Sequence, residues 1–463
     1  MGDTSATENT SGATAGTENK VKLKKELSVA SATFVILNLI IGSGIFFKPQ
    51  ALFAATGAPG LGMICLFVSG IITLFGVFCA AELSSSIPKT GGKQVWLEEA
   101  FGPMIGYIVG WVESLISMPA IIAILCIAFG DTLTSLLSLP AYLGTPIGCV
   151  LCVFLAIINI IGANFSARFG NFFTVIKFIP ILVIIFFGLT YGGGGGASNL
   201  APITNPDVSL ATGFGAAMLA CMYAYEGWIH VGNVAGEMKN PVKDLPKALI
   251  FGTVGVIIVY MLIFTADLFV LPADVLAATK TPVTDVAIVL FGKMGGNFLS
   301  CAILLSLFCT MNSLLLVYPR VPYAMGVQNK LPFSSFFAKI HPKYGTPVNS
   351  ILWITAITIL LSFSGTYNSL SDMATFILWV FYTLTFVAVI ILRKKEPNKE
   401  RPYKVPLYPV IPIIAILGGV YILVTNLIQQ PANVGKGLII AVLGLPIYFA
   451  RKNKFKDTSV IDE

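Results

Sequence analysis

Ile41-Gly42-Ser43-Gly44-Ile45-Phe46 lies in the middle of an apolar stretch that runs from 29 to 56. About 20 apolar residues suffice to cross a bilayer as a helix, so this stretch is long enough to span. The Gly on either side of Ser43 frees the backbone from helical geometry. A spanning helix unwinds at membrane depth only where the freed backbone lines a cavity or is buried in protein. A second interruption, Tyr223-Ala224-Tyr225-Glu226-Gly227-Trp228, stands in the middle of the apolar stretch 211–235. Gly-Ser-Gly alone also suits close helix packing. Two interruptions at matching places fit a pair of discontinuous helices, which point to a transporter site.

The chemistry of such a break follows from the helix ends. N–H groups at the start of the second half-helix lie at a positive dipole end and suit a carboxylate. Carbonyls at the end of the first half suit an ammonium. A small zwitterion matches both. The main-chain N–H groups of Gly42, Ser43, Gly44 and Ile45 are therefore the expected carboxylate site. The carbonyls of Ile40 and Ile41 are the expected amine contacts, and Ala224, Glu226 and Gly227 are their counterparts at the second break.

Working outward, apolar segments recur at 29–56, 61–84, 103–130, 146–163, 169–190, 211–235, 248–271, 286–318, 348–364, 370–392, 408–428 and 435–450. That predicts twelve spans. Charged residues make up 11% of the 463 and apolar ones 56%. A soluble protein carries about 25% charged residues, so a soluble enzyme is excluded, and a β-barrel would alternate with period two. With a cytoplasmic N-terminus, 24 of the 29 Lys and Arg fall on the cytoplasmic side. The positive-inside rule then places both ends inside. The net charge of +7 thus describes topology and gives no sign of nucleic-acid binding. The organisation expected is a disordered cytoplasmic tail (1–28), a first five-helix set (29–190), an external loop (191–209), a second set (210–392), and two further helices with a tail (393–463). Gly192 to Gly196 reads as a flexible spacer.

The eight Cys lie in or at the edges of apolar runs and read as core residues; Cys149 and Cys152 have CxxC spacing but no second pair nearby. Two His leave little for a His-based metal site. No cofactor or metal is expected, and no Walker, Rossmann or TVGYG-type pattern is present.

Taken in order, several stretches resemble the amino acid–polyamine–organocation transporters, and within them the L-type amino acid transporter family. They are Gly42 to Phe46, Pro88-Lys89-Thr90-Gly91-Gly92, Tyr223 to Trp228, Gly236-Glu237-Met238-Lys239-Asn240-Pro241 with Leu245-Pro246, Glu400-Arg401-Pro402-Tyr403-Lys404-Val405 and Gly444-Leu445-Pro446-Ile447-Tyr448. The resemblance covers about 28–450. It implies an all-α polytopic membrane protein: twelve helices, a five-plus-five inverted repeat with helices 1 and 6 broken, and two added helices. It implies sodium-independent exchange of small neutral L-amino acids such as Ser and Thr across the plasma membrane. A proton-coupled or facilitated permease of the same fold is the alternative. Animal members join a heavy subunit through a Cys between helices three and four. The stretch Asp131 to Pro146 has none, so no covalent heavy-chain partner is expected.

Single residues sharpen the picture. Lys177 lies deep in the fifth span, where a Lys costs about 2.5–3.5 kcal/mol unless it faces protein or a cavity. By resemblance it occupies the place of a sodium ion in sodium-coupled relatives, and Ser306 and Thr310 on helix eight are its candidate partners, one turn apart. Lys177 either stays charged as a structural cation or, if desolvation wins, releases a proton during the cycle and couples transport to pH. Glu226 replaces a Gly common in the family; it could receive the substrate ammonium, carry a proton, or accept hydrogen bonds from freed N–H groups. Glu113 reads as structural. By resemblance Tyr223 gates the substrate, Trp379 forms a second aromatic wall, and Ser117 contacts the side chain. Lys48 reads as interfacial, and the basic residues of Arg320 to Pro347 as solvated or near headgroups.

Overall fold

A computed structural model describes residues 29–87, 92–161, 177–230, 238 and 240–455. The motif at Pro88–Gly91, most of Gly236–Lys239, and the first part of the fifth predicted span lie outside the described residues, as do both tails.

Helices dominate, and no β-strand element occurs among the described residues. The first span is α1 (Val29–Ile40) and α2 (Gly44–Thr56), bent by 44° across the Gly-Ser-Gly break. Then come α3 (Pro59–Ser86), the short α4 (Lys93–Phe101), α5 (Pro103–Leu136), α6 (Gly144–Ile161) and α7 (Lys177–Leu189). The second half begins with α8 (Leu210–Ala224), α9 (Pro241–Val270), α10 (Ala273–Ala278) and α11 (Pro282–Val317). It continues with α12 (Arg320–Val327), α13 (Ser334–Phe337), α14 (Val348–Ser364), α15 (Tyr367–Lys395), α16 (Val410–Gln429) and α17 (Pro431–Arg451).

Local chemistry sets several of these boundaries. Proline opens α3, α5, α9, α11 and α17, where its fixed φ suits a first turn and its missing N–H leaves nothing unpaired. Inside α5, Glu113–Ser117 forms a π-helical turn. Such a turn widens the helix and is frequent at functional sites.

Among the described residues, seven helices are long and apolar enough to cross a membrane, or eight if α1 and α2 count as one bent span. Lys177–Leu189 and Val348–Ser364 are apolar but shorter. The helix α5 is central, with 89% of its most apolar window buried, against 33% for the peripheral α16. Large apolar side chains such as Val150, Phe186, Leu360 and Ile428 stand exposed, as a lipid-facing surface requires.

The half-helices α2 and α8 pack on each other, and α9 runs along α1 and α3. At the first contact, a Cβ placed on Gly44 would stand 2.7 Å from Ala224 Cα, so only Gly allows this approach. Facing α2 and α8 is the start of α15.

Ion pairs tie the helix ends. Glu82, 2% exposed, accepts from Arg393 Nε at 2.7 Å and Nη2 at 2.5 Å, and from Val405 N at 2.7 Å. Arg401 Nε stands 3.4 Å from the same carboxylate, and Arg401 Nη2 donates to the carbonyls of Leu392 and Glu396. The motif Glu400 to Val405 therefore folds the connection after α15 back onto α3.

Two expectations need correction. Lys330 is not solvated: it is 1% exposed and pairs with Glu98 at 2.8 Å, because the chain after α12 packs against α4. The glycine run is only partly a free spacer. Gly196–Leu200 forms a 3-10 turn, and Asn199 Nδ2 donates to Leu268 O at 2.9 Å, docking it on α9.

Candidate functional site

The two breaks meet at the centre of the bundle. At the first, Gly42 N turns back to Ile40 O at 2.8 Å, and Phe46 N and Phe47 N both reach Ser43 O at 3.1 Å. The N–H groups of Ser43, Gly44 and Ile45 take no acceptor among the described residues. They are the free donors at the start of α2, where a helix favours an anion. Gly42 N, expected among them, is used by the turn itself.

At the second break, Gly227 sits at φ +119°, a left-handed conformation that suits Gly. A Cβ there would lie 2.8 Å from Leu39 O, so the second break also presses against the first. Tyr260 of α9 closes the arrangement. Its hydroxyl lies within hydrogen-bond distance of Ile40 O, at 3.1 Å, and Ala224 O, at 2.9 Å.

A cavity of about 30 Å3, on the order of two waters, lies between the breaks. Of the predicted residues, Ile40, Gly42, Ser43, Gly44, Tyr223, Glu226, Gly227 and Thr310 line it. Leu39, Ile121, Leu125, Leu314 and Tyr318 complete the wall. These carried no signal in the sequence, because apolar residues and a Tyr in apolar spans read as ordinary core. The remaining predicted residues stand outside the lining. Ile45 and Ala224 are buried behind it. Ser117 is fully buried on the π-helical turn, its Oγ unpaired among the described residues. Trp379 packs on Tyr382 and Phe386, at centroid separations of 5.7 and 6.3 Å, and forms no wall of this cavity.

One end of the cavity is roofed by hydroxyls. Ser43 Oγ lies 3.1 Å from Tyr223 Oη and accepts from Tyr367 Oη at 3.2 Å. Below it, Glu226 Oε1 accepts from Tyr382 Oη at 2.5 Å and lies 3.3 Å from His230 Nε2, off hydrogen-bond alignment. Next to them, Lys93 and Glu113 form a buried contact of 2.7 Å, and the Lys93 ammonium stands 4.9 Å from the Tyr382 ring centre. Glu113 is thus held in an ion pair, as a structural role requires.

Lys177 is 1% exposed and reaches α1. Its ammonium donates to Asn38 O at 3.0 Å, to Asn38 Oδ1, and to Ile41 O at 2.8 Å. Asn38 Nδ2 in turn donates to Ser313 Oγ on α11 at 3.3 Å. The expected partners on that helix do not take part. Thr310 Oγ1 donates to Ser306 O at 2.9 Å, and Ser306 Oγ is buried without a partner among the described residues. The acceptors at the end of α1 lie closer to the ammonium and fill its three donor positions. Asn38, a polar residue in an apolar span, was the missed signal. Ile40 O and Ile41 O, the expected amine contacts, already accept from Tyr260 and Lys177.

Lys48 also departs from expectation. It is 2% exposed, not interfacial, because α2 is enclosed by α8, α10 and α11 and its side chain meets Ser371 and Tyr367 at the start of α15. The eight cysteines are free, seven of them buried and Cys301 exposed. No group of three or more His, Cys, Asp or Glu that could hold a metal occurs among the described residues.

Residues 27–449 match the model of the amino acid permease family. The chain belongs to that family. It falls in the amino acid–polyamine–organocation superfamily, with L-type transporters among its relatives. The permease is 36% identical to the serine/threonine exchanger SteT of Bacillus subtilis, over 93% of this chain and 98% of that protein. It is 30% identical to the human cystine/glutamate transporter, over 93% of this chain and 86% of the other. It is 31% identical to the mouse large neutral amino acids transporter small subunit 2, over 93% and 81%. The chain is therefore a multi-pass amino acid transporter, and its two breaks meet where the cavity lies.

Proposed function

We propose that this permease exchanges small neutral L-amino acids, serine and threonine among them, by alternating access and without sodium. The observation that carries this reading is the set of free N–H groups at Ser43, Gly44 and Ile45, at the mouth of a helix and beside the cavity. They suit the carboxylate that every amino acid carries. The likeness to a serine/threonine exchanger supports the substrate class.

Sodium independence rests on Lys177. Its Nζ donates to Asn38 O and Ile41 O and so occupies the carbonyls at the end of α1 that a bound cation would need.

The proposed membrane arrangement is twelve helices in a plasma membrane with both termini cytoplasmic. Residues 29–190 and 210–392 form the inverted five-helix sets, 191–209 the external loop, and 393–463 the added helices and tail. In this orientation α2, α8 and the start of α15 lie toward the outside, and Glu226 toward the inside. No heavy chain is bound covalently, since Asp131 to Pro146 lacks Cys.

One observation favours a second reading, coupling to protons: Glu226 touches both Tyr382 and His230, a titratable pair beside the cavity. Labelled serine uptake into serine-loaded proteoliposomes separates the cases. The exchanger runs equally in sodium and choline buffers and ignores an imposed pH gradient. Uptake that follows the pH gradient favours the second reading, and a strict sodium requirement contradicts both.

A further inference from the structure

Lys48 stands apart from the machinery described so far, and its surroundings are unusual for a buried charge. Its ammonium donates to Ser371 Oγ at 2.9 Å. It stands 4.7 Å from the ring centre of Tyr223 and 5.4 Å from that of Tyr367. These are cation–π distances. The two rings meet edge to face at 6.0 Å, and their hydroxyls are the ones that hold Ser43 at the cavity roof. Ser371 passes its own hydrogen on to Asn368 O at 2.9 Å, so it is free to accept from Lys48. Lys48 lies on α2 and Tyr223 on α8, whereas Tyr367 and Ser371 lie at the start of α15. Its bonds therefore cross the gap that must widen if substrate is to enter from this side.

We propose that Lys48 is the residue that keeps this gate reopenable: a positioning residue of the exchange cycle, whose charge favours the open state. The inference rests on the orientation proposed above, which makes this the outer gate. Hydration of the ammonium sets the balance. Closing the gate strips water from it, a cost that its new partners must offset. Two ring faces and one hydroxyl repay part of that, because cation–π contacts and charge-assisted hydrogen bonds strengthen in a dry site. Among the described residues no carboxylate hydrogen-bonds the ammonium; the Asp372 carboxylate attracts it without bonding it, and its Oδ1 lies 3.5 Å from Ser371 Oγ. A full ion pair would hold the gate shut more firmly. An apolar side chain of the same length would do so too, since it would pack on both rings and have no hydration to recover. A cation on soft partners, with its nearby carboxylate Asp372 attracting but not bonding it, leaves closed and open states close in free energy, as a cycle that visits both requires.

The test uses Ile121→Cys, on the cavity wall of α5, as a reporter in the full-length protein with Cys301→Ala removing the exposed thiol. Reaction with a membrane-impermeant methanethiosulfonate is measured from each side of proteoliposomes, with the protein lacking the reporter as blank. Lys48→Met should lower the outside rate about tenfold, since a buried charge replaced by an apolar group of similar volume favours the dry state. Lys48→Arg should restore much of it. Ser371→Ala should raise the outside rate, because the closed state loses an acceptor while the charge stays. These opposite signs separate the proposal from a packing role, in which both substitutions would loosen the gate. Faster outside labelling in Lys48→Met, or unchanged labelling in both variants, overturns it. Should Lys48→Met fail to insert, the rise in Ser371→Ala and its absence in Lys48→Arg still decide. Opposite-signed changes seen only from the inside uphold the role of Lys48 and overturn the orientation.

Discussion

Tyr260 and Ile40 are joined across the two halves of the chain: the Tyr260 hydroxyl lies 3.1 Å from Ile40 O, and the same hydroxyl lies 2.9 Å from Ala224 O. A single buried donor thus serves the last carbonyls before both helix breaks. Unwound backbone at membrane depth needs such partners, since no water or lipid group replaces them.

Tyr260→Phe removes that donor with little change in volume. It leaves Ala224 O short of a partner and Ile40 O with only Gly42 N, and because one hydroxyl carries one proton the loss is roughly 1–3 kcal/mol in all. Exchange should fall by about tenfold while the protein still inserts, because the bundle keeps its packing and only the breaks lose definition. Initial exchange rates in proteoliposomes, normalised to protein inserted, check this. Unchanged rates would show that the breaks hold without Tyr260.

At the first break, Gly44→Val should abolish transport, and Ser43→Ala should be milder. A Cβ on Gly44 meets Ala224 Cα at 2.7 Å, backbone that cannot move aside without parting α2 from α8. Ser43→Ala loses only the hydroxyl contacts to Tyr223 and Tyr367 and keeps its N–H. Gly42→Ala should be tolerated better than Gly44→Ala, since its Cβ would meet only Thr310 Cγ2, at 3.5 Å. Equal activity in the Gly42 and Gly44 alanine variants would remove close packing as the reason for Gly44.

Lys177→Ala should impair exchange without blocking insertion. It frees Asn38 O and Ile41 O and removes the brace between α7 and the end of α1. Because the Asn38 side chain supplies one of the three contacts and ties α1 to Ser313, Asn38→Ala should reproduce part of the defect, and Ser306→Ala should not. A larger loss in Ser306→Ala than in Asn38→Ala would return the helix-eight hydroxyls to the role expected from sequence.

Glu226→Gln should keep exchange of serine and threonine, since the acid already has protein partners in Tyr382 and His230. A panel of competing amino acids checks the pocket's charge preference. If arginine or lysine competes best in the native protein and loses that advantage in Glu226→Gln, the carboxylate contacts the substrate side chain.

The all-helical, multi-pass character and the two helix breaks were legible because glycine pairs and apolar length are local signals. The breaks at Gly42–Gly44 and at Gly227 fall where the sequence placed them. Ownership of the freed carbonyls was not legible: Tyr260 and Asn38 are single polar residues in apolar runs, and only tertiary packing brings them to Ile40 and Lys177. Lys48 misled for a related reason. A charge four residues past Gly44 reads as approaching the headgroups, yet the bend of 44° and its contacts to α8 and α15 enclose it. Trp379 and Ser117 were carried by resemblance alone, and both lie outside the cavity lining.

Counterflow bears most directly on the central claim. Purified protein in sealed vesicles is given labelled serine outside in sodium-free buffer, with the vesicles either empty or loaded with unlabelled serine. The account expects uptake only into loaded vesicles, with an overshoot, and the same result in sodium. Equal uptake into empty vesicles would contradict exchange, and no uptake of any amino acid in either condition would contradict the binding site at Ser43, Gly44 and Ile45.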